Sequence, residues 1–218
     1  MTQVVYGRNA VREAQRGQRR VLRVWEQGEV PREELERLCG SPDHQGVVAE
    51  VEPYPYADAA SLLESDDALV IALDQIQDPQ NLGAICRSAD GAGATGVVLP
   101  ARGAAHVTPA VCRASAGAVE HLAIARVRNL ADFLGEAKRA GAWVYGAEPD
   151  AATPYWQPDY RGRVVLVLGS EGKGLRPRVR AACDAIVGVP LHGRLESLNV
   201  AATAAVLMYE IVRRRTNP

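Results

Sequence analysis

Apolar positions fall in two rhythms along this chain. From Ala68 onward, short unbroken apolar runs alternate with stretches whose apolar residues recur every three or four positions. Unbroken runs of this length read as strands covered on both faces. The periodic stretches read as helices laid over them, and the alternation predicts a parallel α/β sheet. The runs are Ala68 to Leu73, Gly96 to Leu99, Val164 to Leu168 and Ala185 to Val189, with shorter ones at His121 to Val127 and Trp143 to Tyr145. Roughly five to seven parallel strands are expected. Helices are predicted over Leu82 to Gly91, Thr108 to Ala118, Leu130 to Ala140 and Arg178 to Ala182. In the third of these, Leu130, Phe133, Leu134 and Ala137 share a face that Asp132, Glu136 and Arg139 avoid.

The two ends differ from this pattern. Residues 1–52 predict a small α/β unit: a helix from Asn9 to Gly17, a strand Val21 to Trp25, a helix Arg32 to Leu38 and a strand Val47 to Val51. Pro53 and Pro55 disfavour helix, so residues 53–67 read as a linker and 68–218 as the second domain. At the other end, Ser197 and Asn199 are helix-start residues, because their side-chain oxygens can accept the unpaired backbone N–H groups of a first turn. Val200 to Tyr209 is apolar on every face except at Thr203. A helix from Leu198 of that composition should be buried all round.

Length and composition narrow the class. The 218 residues suffice for one sizeable core plus a small appendage; with 47% apolar and 23% charged residues the chain is globular rather than disordered. No run is long enough to span a membrane and the Arg-studded N-terminus has no apolar signal core, so a cytoplasmic protein is expected. The net charge of −1 excludes a global basic field. Locally, Arg8, Arg12, Arg16, Arg19, Arg20 and Arg23 face a single Glu13, and Arg213, Arg214 and Arg215 close the chain; these are basic patches or solvated helix faces. Cys39, Cys86, Cys112 and Cys183 are scattered and read as buried thiols. Neither they nor the four histidines have metal-ligand spacing, so no metal is expected.

Two glycine-rich stretches mimic nucleotide motifs. Gly91-Ala92-Gly93-Ala94-Thr95-Gly96 matches Gly-x-Gly-x-x-Gly, but a helix precedes it and a strand follows, the reverse of a dinucleotide site. These glycines should end a helix and turn the chain. Gly169-Ser170-Glu171-Gly172-Lys173-Gly174 lacks the spacing of a phosphate loop, yet it leaves the C-terminal end of a buried strand, where open α/β sheets bind ligands. A third stretch, Asp74 to Arg87, follows the strand Ala68 to Leu73, with Asn81 placed to cap the helix from Leu82 and Arg87 in that helix's second turn.

Taken together, Asn81 through Arg87, Gly169-Ser170-Glu171-Gly172 and Ser197-Leu198-Asn199-Val200 resemble the three signature motifs of the SpoU/TrmH family of 2′-O-ribose RNA methyltransferases, in family order from about Ala68 to Arg214. Tyr6-Gly7-Arg8-Asn9-Ala10-Val11 and His44-Gln45-Gly46-Val47-Val48-Ala49 resemble the ribosomal-protein-like RNA-binding domain that precedes the catalytic domain in one branch. About 20 residues usual between the Trp25 strand and Pro31 are missing, which shortens that domain. The resemblance implies a SPOUT-type α/β fold with a trefoil knot. It also implies S-adenosylmethionine as methyl donor, and a homodimer whose sites are completed across the interface. Methyl transfer to a ribose 2′-hydroxyl is implied, with a guanosine of 23S ribosomal RNA as the expected target. Transfer RNA is the rival target, and a non-catalytic RNA-binding or ribosome-assembly factor is the alternative from another class.

By the same resemblance, Gly169, Gly172, Val189, Leu191, Leu198 and Leu99 are expected around the cofactor, and Asn81, Arg87, Glu171, Ser197 and Asn199 around the reaction. A guanidinium titrates above about 12 and is a poor base near neutral pH. Phosphate clamping is therefore the first role expected of Arg87, with proton acceptance second. Glu171 is expected to orient Arg87. Asn81, Ser197 and Asn199 would frame the loop and the target ribose.

Overall fold

A computed structural model describes residues 2–170 and 172–216. The N-terminal unit holds β1 (Gln3–Tyr6), α1 (Arg8–Arg16), β2 (Val21–Glu26), α2 (Arg32–Cys39) and β3 (Val47–Val51), with the strands in the antiparallel order β1-β3-β2. Its two sequence motifs are each other's partners. Gly7, at φ 93°, donates its N–H to Val47 O (3.1 Å), and the Arg8 N–H donates to Gln45 Oε1 (3.1 Å). Gly46 N donates to His44 Nδ1 (3.0 Å), which tightens the turn before β3. On the shortened side, Gly28 (φ 113°) turns the chain at once from β2 toward α2, and Val30 N reaches back to Glu26 O (3.2 Å).

The second sheet has seven strands, all parallel, in the order β6-β5-β4-β9-β7-β10-β8. In chain order its elements are β4 (Leu69–Asp74), α3 (Pro79–Gly91), β5 (Gly96–Pro100), α4 (Pro109–Ala114), β6 (Ile124–Val127), α5 (Leu130–Arg139), β7 (Trp143–Ala147), β8 (Thr153–Pro154), β9 (Val164–Gly169), α6 (Pro177–Ala182), β10 (Ala185–Gly188) and α7 (Val200–Thr216). The two-residue β8 carries too little pattern to be seen in the sequence. On the central strands, Leu69, Ile71, Leu73, Val164, Leu166 and Leu168 face one layer, with α3 and α7. Val70, Ala72, Val165 and Val167 face the other, with α5 and α6. Such strands are apolar at every position because both of their faces are covered.

The helix over Thr108 to Ala118 is shorter than expected. α4 ends at Ala114, and Gly117 (φ 90°) starts a separate 3₁₀ turn, Ala118–Glu120. The segment 53–67 is packed rather than loose. Tyr54 donates its hydroxyl to the Leu122 and Val119 carbonyls (2.7 and 3.0 Å), Ala57 N donates to Ile124 O (2.9 Å), and a 3₁₀ turn, Ala60–Leu63, buries Leu62 and Leu63. Gly91, Gly93 and Gly96 do end α3 and turn the chain into β5, Gly93 at φ 67°.

Two expectations about charge and burial change. Arg19 is buried against Glu120, Arg12 and Arg16 pair with Glu13, and Arg213 and Arg214 pair with Glu210. Arg215 donates to the carbonyls of Asp67, Gly162 and Tyr160 at 2.6–3.1 Å. Much of the arginine surplus therefore holds the fold, because a forked donor satisfies several carbonyls that a strand end leaves open. Only Cys86 and Cys112 are fully buried thiols; Cys39 and Cys183 are half-buried.

Helix α7 is not covered all round within the chain. Val200, Ala204, Leu207, Met208 and Ile211 are buried along one stripe, while Ala202 and Tyr209 are exposed and Val206 and Val212 half-buried. Met208 is fully buried within the chain.

Candidate active site

The strand order reverses beside β4. From there β5 and β6 run to one side and β9, β7, β10 and β8 to the other. In open α/β sheets the crevice at the carboxyl ends of strands around such a point binds ligands. Here a cleft of about 880 Å³ opens at the ends of β9, β7 and β10. A smaller cavity of about 260 Å³ adjoins it at the end of β4, sharing Ser170, Lys173 and Val200.

The first wall of the cleft is the turn after β9. Gly174 N donates to Ser170 O (2.9 Å), and Gly172 and Gly174 both take left-handed φ values of 77° and 63°. A Cβ on Gly169 would lie 2.2 Å from the Gly174 carbonyl carbon, so only glycine permits this closure. The turn is anchored from below by Asp74, the fully buried last residue of β4, which accepts from Arg176 N (2.8 Å) and Arg176 Nε (2.7 Å). The opposite wall is residues 189–199, contributing Val189, Leu191, Ser197, Leu198 and Asn199.

The helix starts differ from those read in the sequence. Asp78, not Asn81, caps α3: its side chain accepts from Gln80 N (3.0 Å), with Pro79 at the first helical position. Asn81 sits inside the first turn, buried. Asn199 caps α7, its Oδ1 accepting from Ala201 N (2.9 Å) and Ala202 N (3.3 Å), while Ser197 lies before the helix in the cleft wall. The Asn199 Nδ2 group then donates to Asn81 Oδ1 (2.9 Å). One amide thus closes α7 with its oxygen and ties it to α3 with its nitrogen.

Of the expected site residues, Gly169, Gly172, Val189, Leu191, Leu198, Ser197 and Asn199 line the large cleft, and Asn81 lines the small cavity. Leu99 does not line the cleft. It is buried in β5, and β4 stands between β5 and β9, so its side chain packs in the core. Arg87 is exposed on α3, six residues beyond Asn81, and does not line the cleft. Glu171 lies outside the described residues.

Sequence reasoning missed Asp74, Gly188 and the β7–β8 loop, which lends Glu148, Pro149 and Asp150 to the cleft rim. A Cβ on Gly188 would meet the Glu148 carbonyl oxygen at 2.8 Å. The signal available for all three was their place at the carboxyl end of a predicted parallel strand. Gln75, a non-glycine residue at φ 62°, marks the same end of β4.

The cleft sets glycine-rich turns beside a wall carrying apolar side chains. Backbone groups of two close-packed turns stand on one side, and Val189, Leu191 and Leu198 supply an apolar floor. Among the described residues there is no cluster that could hold a metal ion and no helix long and apolar enough to cross a membrane.

The model of the SpoU rRNA methylase family matches residues 68–209, and that of RNA 2′-O ribose methyltransferase substrate binding matches residues 26–57. The protein is an RNA methyltransferase that uses S-adenosylmethionine. It belongs to the SpoU rRNA methylase family, with the SPOUT-type α/β knot fold.

Its relatives include YacO of Bacillus subtilis strain 168, assigned to the TrmH family of tRNA/rRNA methyltransferases. The two are 38% identical over 241 aligned positions, covering 98% of this chain and 96% of YacO. Because this chain has 218 residues, YacO carries residues that it lacks. Among solved structures, AviRb from Streptomyces viridochromogenes, a SpoU methyltransferase in complex with S-adenosylmethionine, superposes with a TM-score of 0.83. It is 29% identical, covering 100% of this chain and 92% of AviRb. A cofactor-bound rRNA methyltransferase from Sinorhizobium meliloti gives 0.86 at 26% identity, covering 100% and 88%.

Proposed function

We propose that this protein methylates a ribose 2′-hydroxyl of RNA, with a guanosine of 23S ribosomal RNA as the target. The observation that carries the reading is the Asn199–Asn81 hydrogen bond. It joins the start of α7 to the first turn of α3 where the large cleft meets the small cavity. Support for ribose chemistry comes from the substrate-binding family that residues 26–57 match. The name of YacO spans both tRNA and rRNA, which keeps transfer RNA as the rival target.

S-adenosylmethionine, when bound, supplies a methyl group on a sulfonium that an oxygen nucleophile can displace in line. The protein's part is alignment. Gly169 and Gly172 let backbone groups approach the adenine, and Val189, Leu191 and Leu198 hold its apolar side. Asn81, Ser197 and Asn199 frame the target ribose. Arg87, exposed and outside its own cleft, clamps a phosphate of the target strand, and Glu171 orients it. A homodimer fits this arrangement. A second copy laid on the open side of α7, at Ala202, Val206, Tyr209 and Val212, would cover the apolar face and bring an Arg87 to each cleft.

Incubation with tritiated S-adenosylmethionine and unmodified 23S ribosomal RNA tests the assignment. Arg87→Ala should lower incorporation about 100-fold, as misplacement of a reacting group does, while cofactor affinity measured by calorimetry stays at the wild-type value. Wild-type incorporation by Arg87→Ala would remove Arg87 from the reaction.

A further inference from the structure

The N-terminal unit meets the methyltransferase domain through charged groups sealed from water. Arg19, at the entry to β2, and Glu120, in the 3₁₀ turn after α4, are a bidentate pair whose side chains are 1% and 0% exposed, with Arg19 Nε 2.9 Å from Glu120 Oε2. The rest of the guanidinium is also used. Nη1 donates to Gln3 Oε1 on β1 (3.0 Å), Nη2 to Cys112 Sγ on α4 (3.3 Å), and the Tyr54 ring lies 5.4 Å from its central carbon. Gln3 Oε1 also accepts from Tyr54 N (3.2 Å). Four separate segments therefore converge on one arginine.

Two glycines bring the backbones together around this pair. A Cβ on Gly17 would lie 2.6 Å from Glu120 Cβ, and one on Gly117 would lie 2.6 Å from Glu13 Cβ. The connecting segment has no slack either, since Tyr54, Tyr56 and Ala57 are each hydrogen-bonded to the second domain. On the far side of the lock, α4 packs against α3, where a Cβ on Gly83 would lie 2.4 Å from Ala114 Cβ. Helix α3 carries both Asn81 and Arg87.

We propose that Arg19 and Glu120 are positioning residues: a buried lock that fixes the N-terminal unit at a set offset from the helix bearing Arg87. RNA then docks on one rigid surface, and the offset selects which nucleotide reaches the cleft. A charged pair suits this task because it is satisfied in one geometry only, whereas apolar contacts tolerate sliding. The activity part of this inference rests on the RNA-methylation reading; the rigidity part does not.

Hydrogen exchange and kinetics on the full chain test both parts. In the wild type, amides of β1 and β3 should be protected together with those of β4 and β9. In Glu120→Gln, β1 and β3 should lose at least tenfold of their protection while β4 and β9 keep theirs. With tritiated S-adenosylmethionine and whichever of a 23S ribosomal RNA transcript or unmodified bulk transfer RNA the wild type methylates, KM for RNA should rise about tenfold. The turnover number and the cofactor affinity should stay within twofold.

Arg19→Lys, which keeps the charge and loses the fork, should fall between wild type and Glu120→Gln on both readouts, and serves if Glu120→Gln does not fold. Fast exchange of β1 and β3 in the wild type would overturn the lock. Loosening without any change in KM would reduce it to a structural role. No methylation of either RNA by the wild type would instead count against the functional reading, with the exchange result still deciding rigidity.

Discussion

The seam between the two units and the cleft at the sheet's carboxyl end both gather polar residues from distant parts of the chain, but to opposite ends. At the seam, Arg19 and Glu120 lie 101 residues apart and satisfy each other in a dry environment. At the cleft, Asn81 and Asn199 lie 118 residues apart and meet at the lip of an open cavity, where exposed Ser197 and Leu198 stand beside them. Burial decides which role a polar cluster takes. A sealed group must find its partners within the protein, because leaving it unpaired is costly, while Ser197 and Leu198 on the open lip face the cleft.

Damage to the open cleft wall should therefore cost binding, and damage to groups paired within the protein, at the lip or at the seam, should cost stability or geometry. The largest effect is expected from Gly169→Ala. Its Cβ cannot coexist with the Gly174 backbone 2.2 Å away, so the turn must shift and spoil the cleft wall. Cofactor affinity by calorimetry should fall about 100-fold, roughly 2.7 kcal/mol, with the thermal transition still cooperative; unchanged affinity would mean the turn does not contact the cofactor.

Asn199→Ala comes next. It removes the cap of α7 and the tie to Asn81, and should cost about 1–2 kcal/mol in urea unfolding. A variant of wild-type stability would show that α7 is held by its buried stripe alone.

The smallest effect concerns pH at the seam. The Glu13 carboxyl is held below its ordinary value, first by the hydrogen bond from Arg12 and then by His121 at 3.0 Å. The folded state therefore binds this proton less readily than the unfolded chain does. The stabilisation is present above the unfolded carboxylate pKa and is lost as pH falls through the folded one. Melting temperature followed from pH 7 to pH 3 should drop slightly less steeply in Glu13→Gln than in wild type, and identical slopes would show that the pairing contributes nothing.

How much of this was legible beforehand varies with the range of the interaction. The strands announce themselves, since Val164 to Leu168 is apolar at every position, as two covered faces require. The glycine turn at residues 169–174 and the polar loop before α7 were visible by position and by motif, and both form cleft walls. The caps were less so. Asp78 outcompetes Asn81 because Pro79 starts the helix three residues earlier than the apolar pattern does. Leu99 lies in the core away from the cleft because β4 stands between β5 and β9, and strand order does not follow sequence order. The arginine-rich stretch from Arg8 to Arg23 gave no sign that Arg19 alone is buried, since its partner lies a hundred residues away.

Taken by itself, the sequence determined the parallel sheet and the helices on its two faces, because these follow from local periodicity, and it carried three motifs whose resemblance to a known family pointed to the site. Tertiary structure decided the rest. It chose which asparagine caps and which one ties, put Arg87 outside the cleft of its own chain, left one side of an all-apolar helix open, and merged the N-terminal unit with the main core. All of these depend on contacts between residues tens to more than a hundred positions apart. Such contacts are set by strand order and by the burial of charge, neither of which is written in any single stretch of the chain.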